Sequence, residues 1–323
     1  MLSFMEAAMA IEQYPCGMRR IAYGTVLTTH KCSDGGTGRH AALKMLCPNG
    51  REGSSPSRST KTIIMYYIVQ ENLFREEGHA KLINCLERFD IDYELVNVRP
   101  FIEEVEFKTK RKDVFVFGSL KLARLSKKYG WEPGALVTEN HDYNVYSKYY
   151  KDNLLNYDSR VVKFGDDFEW IYDQHFIRPC LDSKSFTGKV YEKPEWDEFK
   201  ERMLNHPDDT TLRPDSLIQV AVPKRITQEV RCWVVDGKIV TQSTYRRGSF
   251  LVYDNIVDDD AIEFAQRMVD IYQLSDTFVI DVCLTDNGWK IVECGSTSCA
   301  GFYDADMQKL IMALEDKYAK IEV

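Results

Sequence analysis

Although this chain has nine cysteines, none of them (Cys16, Cys32, Cys47, Cys85, Cys180, Cys232, Cys283, Cys294, Cys299) pairs with another at CxxC spacing, and several interrupt apolar, strand-like runs. That usage argues against a zinc site or a disulfide scaffold and for reduced thiols in a cytosolic protein. No apolar run approaches the roughly 20 residues that a membrane-spanning helix needs. The basic, apolar and small-residue order of a secretory signal is missing at the N-terminus, and there is no internal repeat. Positive charge is not in excess either: 42 Lys and Arg stand against 50 Asp and Glu, a formal charge of -8. Residues 1–64 hold 8 Lys and Arg and 4 Asp and Glu, so the remainder carries -12. Such an acidic body argues against broad contact with a nucleic-acid backbone. What is present is a globular composition, 44% hydrophobic and 28% charged over 323 residues, with room for about two domains.

The first 64 residues stand apart. Ser33 to Thr60 shows no sustained period of 2 or 3.6 and is rich in Gly, Ser and Pro. Gly53-Ser54-Ser55-Pro56 is encodable as GGT-TCG-AGT-CCC, which contains the TTCGA core of a tRNA T-loop. Synonymous codons for Cys32 to Asp34 and for Ser57 to Ser59 pair as an acceptor stem. Codons for Ala41 to Leu46 close a stem around the leucine anticodon TAA, and Pro48 to Gly50 permit a long variable arm. Every stem closes in one frame and in the right order. Residues 1–64 are therefore expected to be a translated leucine tRNA gene with upstream DNA, disordered or non-native as protein, with the true start at Met65. A tRNA gene abutting a reading frame also suits a phage or mobile-element tRNA cluster.

From Met65 onward the pattern is globular. Met65 to Val69 reads as a strand, Phe74 to Phe89 as a helix, Tyr93 to Val98 and Val114 to Phe117 as strands, and Leu120 to Gly130 as a helix. That order predicts a small parallel sheet with helices on its faces. Gly118-Ser119, opening a helix, can meet an anion or serve as an ordinary strand–helix turn. Val145 to Leu155 reads as a tyrosine-rich helix, and Trp170 to Arg178, Leu217 to Val222, Glu229 to Val235 and Lys238 to Tyr245 read as strands. Asp236-Gly237 is a hairpin turn. Asp258 to Leu274 and Ala305 to Ile321 are amphipathic helices, the first with Ile262, Ala265, Met268, Val269 and Tyr272 on its apolar face.

Three groups of residues can carry chemistry. Arg178, Lys184 and Lys189 surround a Ser/Thr/Gly turn, a composition that binds phosphate through charge and backbone N–H groups or forms a solvated basic loop. Glu229 and Arg231 alternate with apolar residues and so share one strand face; the next strand ends in Tyr245-Arg246-Arg247, so cations on adjacent strands can clamp a triphosphate or an acyl phosphate. Asp281, among Val279, Ile280, Val282 and Cys283, and Glu293, after Ile291 and Val292, are carboxylates in buried runs. Carboxylates are rarely buried without a partner, and two facing one cleft suit a hard cation such as Mg2+. The Gly295 to Gly301 turn that follows is small and rich in hydroxyls.

In this order the parts resemble the ATP-grasp superfamily, in a branch frequent in phage genomes whose chains begin like Tyr66-Tyr-Ile-Val-Gln-Glu-Asn and end like Glu293 through Tyr303. The resemblance implies an α/β (α+β) fold, with a small parallel α/β domain at 65–145 and an ATP-grasp domain at 146–323. It implies ATP between two sheets, with adenine against a hinge near Ile218 to Ala221, including Gln219 and Ala221. Arg178 and Lys184 would meet phosphates, Glu229 and Arg231 would line the cleft, Arg231 and Arg246 would be catalytic, and Asp281 and Glu293 would hold Mg2+. The implied reaction activates a small-molecule or peptide carboxylate as an acyl phosphate for attack by an amine or thiol, in the cytoplasm and without membrane or nucleic acid. One departure stands out: many relatives carry Asn two residues after the last Glu, where this chain has Gly295. Ser296 or a water would then substitute, or the chain would be an ATP-binding module with weak or no ligase activity in a regulatory role.

Overall fold

The computed structural model describes residues 61–73, 77–99, 105–183, 185–206 and 211–322. The expectation for the tRNA-encoded segment therefore falls outside the described residues up to residue 60. Among the described residues, strand β1 (Lys61–Ile63) pairs antiparallel with the last strand, β15 (Lys320–Glu322). The closing helix expected to reach Ile321 stops three residues earlier to make that pairing.

The four-stranded parallel sheet follows. Its order is β3 (Tyr93–Val96), β2 (Tyr66–Gln70), β4 (Asp113–Phe117), β5 (Glu132–Gly134). Helix α1 (Glu77–Arg88) buries Leu82, Cys85 and Leu86, an i, i+3, i+4 stripe. Helix α2 (Leu120–Tyr129) buries Leu122, Leu125 and Ser126 and is capped by the Ser119 hydroxyl, which accepts from the Leu122 N–H. Gly118 and Ser119 do not present free N–H groups to an anion: Gly118 donates to the Ser298 carbonyl at 2.7 Å and Ser119 to Gln70 Oε1 at 2.9 Å. They form the ordinary strand–helix turn, here tying the parallel sheet to the segment that follows the last carboxylate.

Helix α3 (Tyr143–Tyr150) spans the junction expected at 145/146 and runs into a 3-10 turn at Lys151–Asn153. A four-stranded antiparallel sheet comes next, with order β6 (Arg160–Lys163), β9 (Leu217–Ala221), β7 (Gln174–Pro179), β8 (Lys189–Glu192), covered by α4 (Lys193–Asn205) through Trp196 and Met203. Strand β7 begins at Gln174 rather than Trp170. Residues 170–173 instead form a turn in which Trp170 packs on Phe168 and His175.

The second antiparallel sheet has five strands in the order β12 (Phe250–Asp254), β11 (Lys238–Arg247), β10 (Gln228–Val235), β13 (Thr277–Thr285), β14 (Gly288–Gly295). Asp236 and Gly237 both have positive φ, 51° and 73°, as a type I′ turn requires. One face of this sheet buries Val230, Cys232, Val234, Ile280 and Val282 under α5 (Asp259–Ile271) and α3. Helix α5 turns Ala261 and Phe264 inward where Ile262 was expected. On the other face Trp233, Val235 and Val279 join one core with α6 (Met307–Tyr318), α1 and the parallel sheet. This face carries the site.

Candidate active site

Strict alternation along β10 decides which side chains reach the cleft. Val230, Cys232 and Val234 are consumed by the α5 core, so Glu229, Arg231 and Trp233 face the other way. Trp233 closes the core beneath; Glu229 and Arg231 lie above it.

Register then assembles the charges. Arg231 is directly opposite Asp281 on β13, and Asp281 is directly opposite Glu293 on β14. The second pairing depends on a one-residue bulge between Asp281 and Val282. Counted without a shift from the Thr285/Gly288 turn, Asp281 would face Val292. A similar shift in β11 puts Arg246 rather than Thr244 opposite Glu229, with Val230 facing Thr244.

Arg231 and Asp281 form a bidentate pair: Nε donates to Oδ1 and Nη2 to Oδ2, both at 2.8 Å, with Arg231 8% and Asp281 2% exposed. Burial alone would lower the Arg231 pKa, but Asp281 outweighs it and holds the guanidinium well above its ordinary value. Arg231 Nη1 also donates to the Gly301 carbonyl at 3.3 Å, and Nη2 lies 4.0 Å from Glu293 Oε1. Its guanidinium sits 4.9 Å from the Tyr303 ring and 5.8 Å from the Tyr245 ring. Tyr303 is held at φ 50° and stacks on Tyr245 at 4.9 Å.

From the other sheet, Arg178 on β7 pairs with Glu293 Oε2 and donates to the Val292 carbonyl at 3.4 Å. Burial opposes its charge, while Glu293, Tyr146 and Asp182 raise its pKa above the ordinary value. Glu229 accepts from the Tyr245 hydroxyl at 2.7 Å. Arg246 Nε lies 3.0 Å from Glu229 Oε1, close enough for an ion pair but off the line of a hydrogen bond. Burial raises the Glu229 pKa, with the Tyr245 hydrogen bond and the Arg246 charge opposing the rise.

Between the two antiparallel sheets lies a cleft of about 750 Å³, within the range of small-molecule sites. Its cations among the described residues are Arg178, Lys189, Lys224 and Arg246, its acids Asp182, Glu229 and Glu293, and its apolar walls include Phe176, Phe186, Pro223 and Ile226. Lys184 lies outside the described residues. Gln219 and Ala221 do not line the cleft. They sit buried on β9, opposite Arg178 and Phe176, and Gln219 Nε2 has no hydrogen-bond partner among the described residues. Sequence reasoning missed Lys224, Asp182 and Phe176. Lys224 binds Asp158 at 2.6 Å and Asn156 Oδ1 at 3.3 Å. It stands in a loop without periodicity, and only its charge near the end of β9 could have flagged it.

The donor set fits a hard divalent cation. Asp281 and Glu293 offer carboxylate oxygens side by side at the end of the cleft, the ligand type that Mg2+ takes. Two arginines already place positive charge against them. Gly295 leaves an open cradle beside Glu293: a Cβ there would meet Asp182 Oδ2 at 3.1 Å. As arranged, no three His, Cys, Asp or Glu are gathered closely enough among the described residues to hold a metal; the arginines hold the acids instead. Nor is any helix among the described residues long and apolar enough to cross a membrane.

Comparisons with known proteins bear on this geometry. A family model for an ATP-grasp domain, the third family of its clade, matches residues 99–314. Comparison with curated proteins gives no significant match. Among solved structures, similarity extends to D-cycloserine synthetase DcsG, at 10% identity and a TM-score of 0.54 over 79% of this chain and 99% of that one. The D-alanine-D-alanine ligase of Coxiella burnetii matches at 11% identity and a TM-score of 0.53, over 79% of this chain and 95% of that one. The D-alanine–D-alanine ligase of Bacillus anthracis, solved with ATP, matches at 13% identity and a TM-score of 0.50, over 79% and 97%. At these identities the likeness is one of fold.

Proposed function

The chain belongs to the ATP-grasp domain family, and on that premise we propose that it is an ATP-dependent ligase joining a carboxylate to an amine or thiol. The observation that carries this reading is the alignment of Arg231, Asp281 and Glu293 across three neighbouring strands, at the end of a cation-lined cleft between two sheets. ATP occupies the cleft, its adenine toward the β9 hinge of Gln219 and Ala221 and its phosphates toward Arg178, Lys184, Lys189 and Lys224. Asp281 and Glu293 hold Mg2+, which when bound neutralises phosphate oxygens and polarises the transferring group. Glu229, fixed by Tyr245 and Arg246, lines the nucleotide side.

The substrate carboxylate oxygen attacks the γ-phosphorus, and the bond from phosphorus to the bridging oxygen breaks with its electron pair leaving on ADP. The amine or thiol then attacks the acyl carbon, phosphate departs with the C–O bond pair, and the nucleophile's proton passes to phosphate or solvent. Arg231 and Arg246 stabilise the negative charge that develops on the phosphoryl and leaving oxygens. Buried Arg231, already oriented by Asp281 and Tyr303, pays little reorganisation for this task. The substrate is a small-molecule or peptide carboxylate, and the setting is cytoplasmic, that of a bacterial host if the gene is phage-borne. The native chain starts at Met65, and nucleic acid is not a partner.

ADP release measured with Mg2+ and ATP across a panel of amino acids and short peptides tests the proposal. Turnover with at least one carboxylate–amine pair, lost in Asp281→Ala and Glu293→Ala, is expected; turnover unchanged in both variants would refute the site. Gly295 favours a second reading, in which ATP binds without ligation in a regulatory role. Tight Mg2+-dependent nucleotide binding with no ADP release on any pair would select it.

A further inference from the structure

Gly295 stands two residues beyond Glu293 on β14, so a side chain there would project to the same face as the Glu293 carboxylate. That direction is already filled from outside the strand. A Cβ built on Gly295 lies 3.1 Å from Asp182 Oδ2 and 3.6 Å from Val279 Cγ2. Asp182 belongs to the segment that leaves β7, four residues past Arg178, and it walls the same cleft as Glu293. Its negative charge and that of Glu293 both act on the Arg178 guanidinium. A carboxylate from the smaller sheet therefore reaches across to the larger one and stands where β14 itself has only a hydrogen.

We propose that Asp182 is a third oxygen ligand, directly or through one water, of the divalent cation held by Asp281 and Glu293, supplied from the opposite sheet in place of a side chain at position 295. The inference rests on the reading of the cleft as a Mg2+–nucleotide site. Three arguments support it. Asp281 has both oxygens engaged by Arg231, which leaves Glu293 and a further donor to carry the carboxylate charge at the cleft. Mg2+ takes oxygen ligands from one or two carboxylates, phosphates and waters, and Asp182 adds a donor of that kind. Arg178 places its positive charge between Glu293 and Asp182, where a divalent cation would satisfy the same two acids. A ligand from the opposite sheet also makes cation binding a tie across the cleft, so nucleotide affinity depends on the metal more strongly than charge neutralisation alone would make it.

The test is titration calorimetry of AMP-PNP into the full chain, once with saturating Mg2+ and once in EDTA. Asp182→Asn is expected to weaken binding about 10-fold or more with Mg2+ and to leave the EDTA value unchanged. Gly295→Ala, which leaves Asp182 chemically intact but pushes its carboxylate aside, should give the same signature and covers the case in which Asp182→Asn folds poorly. The double variant D182S/G295N, which returns a donor to position 295, should recover Mg2+ dependence. If D182N and G295A bind like the unaltered chain while Asp281→Asn loses its Mg2+ dependence, the inference falls and the cleft reading stands. If Asp281→Asn also binds like the unaltered chain, the cleft reading falls with it. Equal weakening with and without Mg2+ would show that Asp182 acts only on Arg178, and would also overturn the inference.

Discussion

The Arg231–Asp281 pair gives a prediction whose size follows from its surroundings. Asp281→Asn keeps the shape of the side chain and removes its charge, leaving a guanidinium that is 8% exposed with only the Gly301 carbonyl and a Glu293 oxygen 4.0 Å away. Breaking a buried pair by removing one partner costs about 3–5 kcal/mol, because the other charge stays buried without compensation. The partial help from Glu293 places this case near the lower end, about 3 kcal/mol. For a domain of this size that corresponds to a fall in Tm of roughly 6–12 °C. Replacing both partners, as in R231M/D281L, removes the uncompensated charge and should return stability to within about 1 kcal/mol of the unaltered chain. The same double variant should lose Mg2+-dependent nucleotide binding, which separates the structural value of the pair from its functional one. The assay is thermal and urea unfolding without nucleotide or metal, run as a double-mutant cycle with Arg231→Met. A cost below about 1 kcal/mol for Asp281→Asn, or a double variant less stable than both single ones, would refute the reasoning.

Glu229 makes stability depend on pH. Because burial raises its folded pKa, the folded chain holds a proton that the unfolded chain has lost between the ordinary and the raised value, so this group's contribution falls as pH rises through that window. Glu229→Gln should therefore gain stability relative to the unaltered chain from about pH 4 to pH 7, and urea unfolding at several pH values that showed a constant difference would contradict it. Tyr303→Ala removes the ring stacked on Arg231 and Tyr245 and should cost about 1–2 kcal/mol, whereas Tyr303→Phe keeps the ring and should cost far less; equal Tm values for the two would argue against the stack. A chain begun at Met65 should melt close to the full chain and bind nucleotide equally, since the Met65 nitrogen already donates to Glu315 Oε2 at 3.1 Å and would there become a charged amine. Loss of cooperative melting in that shortened chain would show that the β1–β15 pairing, or the residues before it, is needed.

Much of the architecture was legible because each core demands its own period. The i, i+3, i+4 stripe of α1 and the continuous apolar runs of β4 and β13 admit one reading each. The Asp281…Glu293 hairpin was legible for a related reason: acids inside β-branched runs need a partner. The register was not. It depends on the bulge at Asp281/Val282 and on the shifts between β10 and β11, which no residue type announces. Nor could sequence show that the arginines expected to meet phosphates would lie against the carboxylates expected to hold metal, since Arg178 reaches Glu293 across 115 positions of chain. Lys224 and Asp182 were missed because loops carry no periodicity and are placed by what they pack against.

A crystal structure of the full chain with AMP-PNP and Mg2+ tests the central claim most directly. The account predicts the nucleotide between the two antiparallel sheets, its phosphates against Arg178 and a metal ion on Asp281 and Glu293. A nucleotide bound elsewhere, or one bound in the cleft while the metal sits away from both carboxylates, would contradict it.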